Sequence, residues 1–263
     1  MHLTCDYHTH PQAHVLQPYT PGLLQPWIEQ ARQTGIQSLA FTDHDRYHAG
    51  IAFDVVERLR EANPDVDLLL GIELDNDPVT SAAGSHWVER HWDKLDFVLG
   101  SVHYLPGAAT MFDRADQTAQ LTAQFGLERA FSLYLDELDK LLRCGLIDCL
   151  AHLDLIKIHR LYPPDYDAAR WFQPILAKVA ASGLAMEAST AGWRKAVGEQ
   201  YPSSAILALA GQMGVSITTA SDAHAPAQLS ADYDRLEATL DEAGIQTTVR
   251  FRKHETMNSS ERQ

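Results

Sequence analysis

The chain has 263 residues, with 21 Lys and Arg against 35 Asp and Glu, for a formal charge of −14. That length suits one large domain or two small ones, and 45% hydrophobic residues are enough to bury a core without disulfide staples. The acidic excess argues against an extended nucleic-acid surface, and no apolar run reaches the roughly 18 residues of a membrane span.

The N-terminal Met1-His2-Leu3-Thr4-Cys5-Asp6 has neither the basic nor the apolar region of a secretory signal. Cys5, Cys144 and Cys149 are an odd, sparse set that reads as reduced thiols, which points to the cytoplasm. Thirteen histidines are the unusual number.

Residues 2–7 form the first short apolar run, and an amphipathic stretch over 22–34 stops at Gly35. The run 36–41 is followed by a helical pattern over 48–62 that ends before Asn63-Pro64. Runs 66–72 and 95–102 come next, then a helix over 127–143 with Phe131, Tyr134, Leu135, Leu138, Leu141 and Leu142 at helical spacing. Run 147–151 leads to a helix over 168–181, run 183–188 to one over 203–213, and run 215–220 to one over 232–243. A weaker eighth run lies at 246–251, and the polar tail 253–263 is expected to fray. No internal boundary divides residues 1–252, so a single domain is expected. Strand–helix alternation of this kind implies a parallel sheet with crossover helices, either open and doubly wound or closed as a barrel.

The chemistry sits where each run ends. The endings are Asp6-Tyr7-His8-Thr9-His10, Thr42-Asp43-His44, Gly71-Ile72-Glu73, Gly100-Ser101-Val102-His103, Ala151-His152-Leu153-Asp154, Met186-Glu187-Ala188-Ser189 and Ser221-Asp222-Ala223-His224. In parallel α/β architectures the carboxyl ends of the strands form the active-site edge. Alternate strand residues face the same way, so His8 and His10 point inward together, as do Asp222 and His224. Converging imidazoles and carboxylates without cysteine are the ligand set of Zn, Mn, Fe or Ni. Burying so many polar groups uncompensated would cost several kcal/mol, which favours a metal cluster over a structural role.

These motifs, in this order, resemble those of the polymerase-and-histidinol-phosphatase (PHP) superfamily over residues 6–224. The segments Gly100 to Leu105, His152 to Leu155 and Ser189 to Gly192 look most like its monofunctional histidinol-phosphatase branch. The resemblance implies a distorted (β/α)7 barrel holding two to three divalent ions (Zn, Mn or Fe). It assigns His8, His10, Glu73 and Asp222 to a first metal, and a bridging Glu73 with His103 and His152 to a second. His44 and His224 would hold a third, joined by His14 from a loop shorter than the family's usual one. Ser189 stands where the family commonly has Asn.

The implied activity is hydrolysis of a small phosphate monoester, L-histidinol phosphate, by a hydroxide bridging two metals. Glu73, Asp222 and His224 would be catalytic through their metals. The proton donor to the leaving oxygen is left open between Asp154, His159 and a metal-bound water. Lys157, His159, Arg160 and Arg194 are the expected phosphate contacts, and Lys195 follows Arg194. Asp6, Asp43 and Asp154 are expected to orient imidazoles, and Glu187 either does the same or pairs with Arg194. Trp193 is a candidate pocket residue and Asp113 a candidate contact for the substrate amine. His2, His48, His86, His91 and His254 read as surface or cap residues. The alternatives are another small ester such as a nucleotide or sugar phosphate, a nucleic-acid 3′ end, or a metal-stabilised module without catalysis.

Overall fold

A computed structural model describes residues 2–107, 112 and 114–258. Asp113 and residues 259–263 lie outside the described residues. Seven strands, β1 (Cys5–Asp6), β2 (Ser38–Phe41), β3 (Asp67–Asp75), β4 (Phe97–Ser101), β5 (Cys149–Leu150), β6 (Ala185–Ser189) and β7 (Ser216–Ala220), pair in sequential order, all parallel. The Tyr7 N–H donates to the Thr219 carbonyl at 3.1 Å, and Thr9 bridges Ala223, so the first strand meets the last and the sheet curls into a barrel.

The described helices are α1 (Pro21–Thr34), α2 (Phe53–Ala62), α3 (Ser81–His91), α4 (Ala115–Phe125), α5 (Leu127–Arg143), α6 (Ala168–Ser182), α7 (Ser204–Gln212) and α8 (Tyr233–Glu242). The helix α1 opens on Thr20, whose side chain accepts from the Leu23 N–H, and stops at Gly35 in the left-handed region. One layer of core lies between the helices and the strands; a smaller one, including Cys5, Tyr7, Leu69, Phe97, Leu99, Cys149 and Phe251, fills the barrel interior. No described helix is long and apolar enough to cross a membrane.

Several expectations change. The helix expected over 48–62 is two pieces, a 3-10 turn over Asp45–Gly50 and then α2. Gly50 lies at the break, and a Cβ there would sit 2.3 Å from the Gln17 carbonyl, where the loop after β1 crosses against bare backbone. Helices α3 and α4 carry weak apolar periodicity, and the sequence reading passes over both.

The eighth run is not a barrel strand. It forms β8 (Val249–Arg252), antiparallel to β9 (Glu255–Asn258), so the polar tail is paired up to Asn258 rather than frayed from Lys253. The hairpin plugs the amino-terminal end of the barrel. Phe251 stacks on Phe97 at 4.9 Å between ring centroids and meets Tyr7 edge-on at 5.6 Å. His254, expected as a surface or cap residue, lies flat on Trp92 at 3.8 Å, with Nδ1 2.8 Å from Asp148 Oδ2 and Nε2 2.9 Å from the Trp92 carbonyl.

Phe251→Ala should therefore cost about 3–5 kcal/mol of stability, the usual range for emptying a buried aromatic site. Chemical denaturation measures it; a loss below about 1 kcal/mol would show that the hairpin is dispensable to the barrel.

Candidate metal centre

Each strand end delivers its ligand because the inward-facing positions continue past the apolar floor. On β3, Leu69, Gly71 and Glu73 share one face: the first belongs to the interior core, and the last is a carboxylate with 0% exposure. Around its Oε2 lie His44 Nδ1 at 2.8 Å and the Nε2 atoms of His8 and His10, each at 3.4 Å. Its Oε1 faces His152 Nε2 at 3.2 Å and His103 Nε2 at 3.8 Å. Asp222 Oδ1, past β7, lies 3.2 Å from His10 Nε2, 3.8 Å from His8 Nε2 and 3.7 Å from His224 Nδ1. His14 stacks over this group, 4.3 Å from the His224 ring and 5.2 Å from His44. The nine residues expected as ligands thus meet at one mouth, above a cavity of about 50 Å³, with room for a few water-sized occupants.

The donor atoms suit divalent cations. Four overlapping sets (His8, Glu73 and His152; His8, His10 and Asp222; His10, His44 and Glu73; His44, Asp75 and His103) each bring three ligand atoms within 4.8 Å of one another. His10 Nδ1, His152 Nδ1 and His224 Nε2 are buried without a hydrogen-bond partner among the described residues, an arrangement that native interiors avoid unless something else binds there.

Electrostatics agrees. Burial pushes the Glu73 carboxyl up, but His44 and His8 outweigh it and hold the group well below the usual carboxylate range. Burial likewise opposes ionisation of Asp222, and His8, His10 and His224 overcome it. Burial would strip His8 of its proton, yet Glu187, Glu73 and Asp222 hold it well above the ordinary imidazole value. A hollow that attracts a proton so strongly attracts a divalent cation by the same charges, and a bound metal would displace the proton. Burial and neighbouring His224 and His44 bring His14 down to about 4, so its lone pair is free at neutral pH.

Behind the donors stands a second layer. His8 Nδ1 donates to Glu187 Oε2 at 2.9 Å, which aims Nε2 into the cavity, and Glu187 Oε1 accepts from the His152 N–H at 2.7 Å. Glu187 therefore orients ligands; Arg194 instead bonds Thr190 Oγ1 at 3.2 Å and the Ser221 carbonyl. Asp75 Oδ1 lies 3.0 Å from His103 Nδ1 and its other oxygen accepts from Arg46, while Asn76 Oδ1 accepts from the His103 N–H at 2.9 Å. Sequence reasoning missed both residues, although Asp75 shares the face of Glu73 two residues on. Asp6 holds backbone rather than an imidazole, whereas Asp43 Oδ1 faces His10 Nδ1 at 3.9 Å and also braces its surroundings. Asp6 accepts from the N–H groups of Ser221 and Ser230 at 2.9 and 3.0 Å. Asp43 accepts from the Gln12 N–H at 3.0 Å and the Tyr19 hydroxyl at 2.7 Å.

The expected phosphate contacts fare differently. Among the described residues lining the cavity the ammonium is Lys195; Lys157, His159, Arg160 and Arg194 do not line it. Lys157 is buried against Asp154 and Glu199, and Arg160 Nε donates to the Val197 carbonyl at 2.9 Å. Asp154, fully buried, accepts from the Ser203 N–H at 2.9 Å, faces Lys157 and does not line the cavity. Trp193 lies under the Arg235 guanidinium at 4.3 Å instead of lining the pocket. Leu155, Ile158 and Tyr201 complete the wall, and none of the three was singled out from the sequence.

In Glu187→Gln the side chain keeps one acceptor oxygen for two donors. Metal affinity should fall about 10–100-fold, the usual cost of losing a partner behind a ligand. Competition with a chromophoric chelator reads it, and unchanged affinity would contradict the orienting role.

Comparison with known proteins agrees with the geometry. The PHP domain model matches residues 6–191. A Deinococcus radiodurans protein named probable histidinol-phosphatase is 31% identical, over 95% of this chain and 97% of its own. A Schizosaccharomyces pombe protein of the same name is 25% identical over 89% and 86%. The crystal structure of histidinol phosphate phosphatase from Lactococcus lactis, complexed with zinc, L-histidinol and phosphate, superposes with a TM-score of 0.74 over 97% of this chain and 98% of that one. At 20% identity that likeness concerns the fold alone. A family match over most of the length, a relative matched from end to end and a barrel whose strand ends carry the family's motifs lead to one conclusion: the chain belongs to the PHP family.

Proposed function

We propose that the chain is a metal-dependent phosphomonoesterase that hydrolyses L-histidinol phosphate to L-histidinol and phosphate. The observation that carries the hydrolase reading is the buried Glu73 carboxylate shared among imidazoles from four other strand ends, at a mouth with Lys195 on its rim. The substrate rests on the relatives, two of them named probable histidinol-phosphatase and matched over 97% and 86% of their length.

His8, His10, Glu73 and Asp222 would hold one ion; Glu73, His103 and His152 a second; and His14, His44 and His224 a third, the metals being zinc, manganese or iron. Such ions supply Lewis-acid charge and a water acidic enough to attack at neutral pH. The chain's own residues do the rest. Glu73 and Asp222, held far below the usual range, stay ionised and serve as anchors, not as proton donors. Lys195 offsets the charge of the phosphoryl oxygens, where most of phosphoryl-transfer catalysis lies. Leu155, Ile158 and Tyr201 give the rest of the ester an apolar wall. The deep cavity of about 50 Å³ and the −14 charge favour a small ester over a polynucleotide. The sparse thiols, with Cys144 exposed and free, fit the cytoplasm.

The test is a panel of phosphate esters with protein stripped of metal and reloaded with zinc or manganese. L-Histidinol phosphate should be cleaved fastest, and activity should vanish on stripping and return on loading. Faster cleavage of a nucleotide, a sugar phosphate or a labelled single strand would overturn the substrate, and folding without turnover would overturn the enzyme. Glu73→Gln should lose bound metal and at least about 10³-fold in kcat, the scale of removing a central electrostatic group. Retained activity would exclude Glu73 as the shared ligand.

A further inference from the structure

The ammonium of Lys157 takes no part in the chemistry above, and its surroundings indicate another task. An ammonium has three N–H donors. Lys157 Nζ lies 3.0 Å from Asp154 Oδ2, 2.7 Å from Glu199 Oε2 and 2.8 Å from the Gln200 carbonyl. Three acceptors use up three donors, and the residue is 1% exposed, so no donor is left for a substrate.

The acceptors belong to two loops. Asp154 follows β5, while Glu199 and Gln200 follow β6. Further bonds cross the same seam: the Ser203 N–H donates to Asp154 Oδ2 at 2.9 Å, and Arg160 Nε donates to the Val197 carbonyl at 2.9 Å. The loop after β6 is also folded hard on itself here, since a Cβ on Gly192 would lie 2.0 Å from the Glu199 carbonyl. This tied loop brings Lys195 and Tyr201 to the cavity, and Lys157 Nζ itself lies over the Tyr201 ring at 5.4 Å.

We propose that Lys157 is a positioning residue that acts through Lys195: it buckles the loop after β6 to the loop after β5 and so sets the Lys195 ammonium where it meets the phosphoryl group. The inference rests on reading the mouth as a phosphate-ester site. A flexible lysine binds an anion well when its backbone is fixed beforehand, because less freedom is lost on binding.

Inorganic phosphate, titrated calorimetrically into metal-loaded protein, is the probe, with steady-state kinetics beside it. Lys195→Ala should weaken phosphate binding about tenfold, the scale of one charged hydrogen bond. Lys157→Met should weaken it about fivefold or more and raise KM more than it lowers kcat, with bound metal unchanged. In the Lys195→Ala background, Lys157→Met should add less than about twofold, because the two act as one unit. A full, multiplying effect in that background overturns the proposal. So does unchanged phosphate affinity in Lys157→Met, or wild-type protein that binds no phosphate. Should Lys157→Met fail to fold, Glu199→Gln loosens the buckle from its more exposed side. It should weaken phosphate about threefold in wild type and not in Lys195→Ala; equal effects in both overturn the proposal. Phosphate affinity is read without turnover. A protein that obeys this cycle but cleaves no ester keeps the buckle and loses the function proposed above. One that cleaves esters, with phosphate affinity indifferent to Lys157, keeps the function and loses the buckle.

Discussion

Glu73 carries a negative charge into the interior of the barrel, where it has no exposed surface, and imidazoles from β1, β2, β4 and β5 answer it there. An isolated carboxylate cannot be buried in this way, because desolvation would neutralise it first. Several of the ligand loops are accordingly braced from behind. Asp6 grips the backbone beyond β7, Asp43 the loop that carries His14, Glu187 the His8 ring beyond β1 and the His152 backbone beyond β5, and Asp75 with Asn76 the histidine beyond β4. With its neighbours fixed, the central charge becomes a place for cations and not a defect.

The barrel separates stability from chemistry along its axis. At the amino-terminal end Tyr7, Phe97 and Phe251 pack ring against ring, with the hairpin of β8 and β9 as a floor. A few residues further along the same strands, the inward positions change from leucine and phenylalanine to glutamate. The loops then finish the mouth, and their own ties, such as the seam between the loops after β5 and β6, hold the side chains that line it.

Much of this was legible in the chain. Strand runs ending in His, Asp or Glu give both the barrel's active edge and the identity of its donors, since alternation along a strand and the polarity of parallel sheets leave little choice. Charges on loops were not legible. Lys157, Arg160 and Arg194 are near the mouth in sequence, but the backbone turns them toward Glu199, Val197 and Ser221, while the adjacent Lys195 reaches the cavity. Spacing along a loop carries no period, so nothing in the sequence separates Arg194 from Lys195. The same holds for the floor: Phe251 reads as one more strand, and only its packing on Phe97 shows that it closes the barrel's end.

The meeting of β1 with β7 also constrains how the molecule is made. Cys5 and Thr219, 214 positions apart, share a hydrogen bond. While the polypeptide is still emerging from the ribosome, the first strand has only one of its two neighbours. The ring can close only after nearly all of the sheet has been synthesised, so closure is a contact of very high sequence separation, whose loop entropy must be met before it stabilises anything.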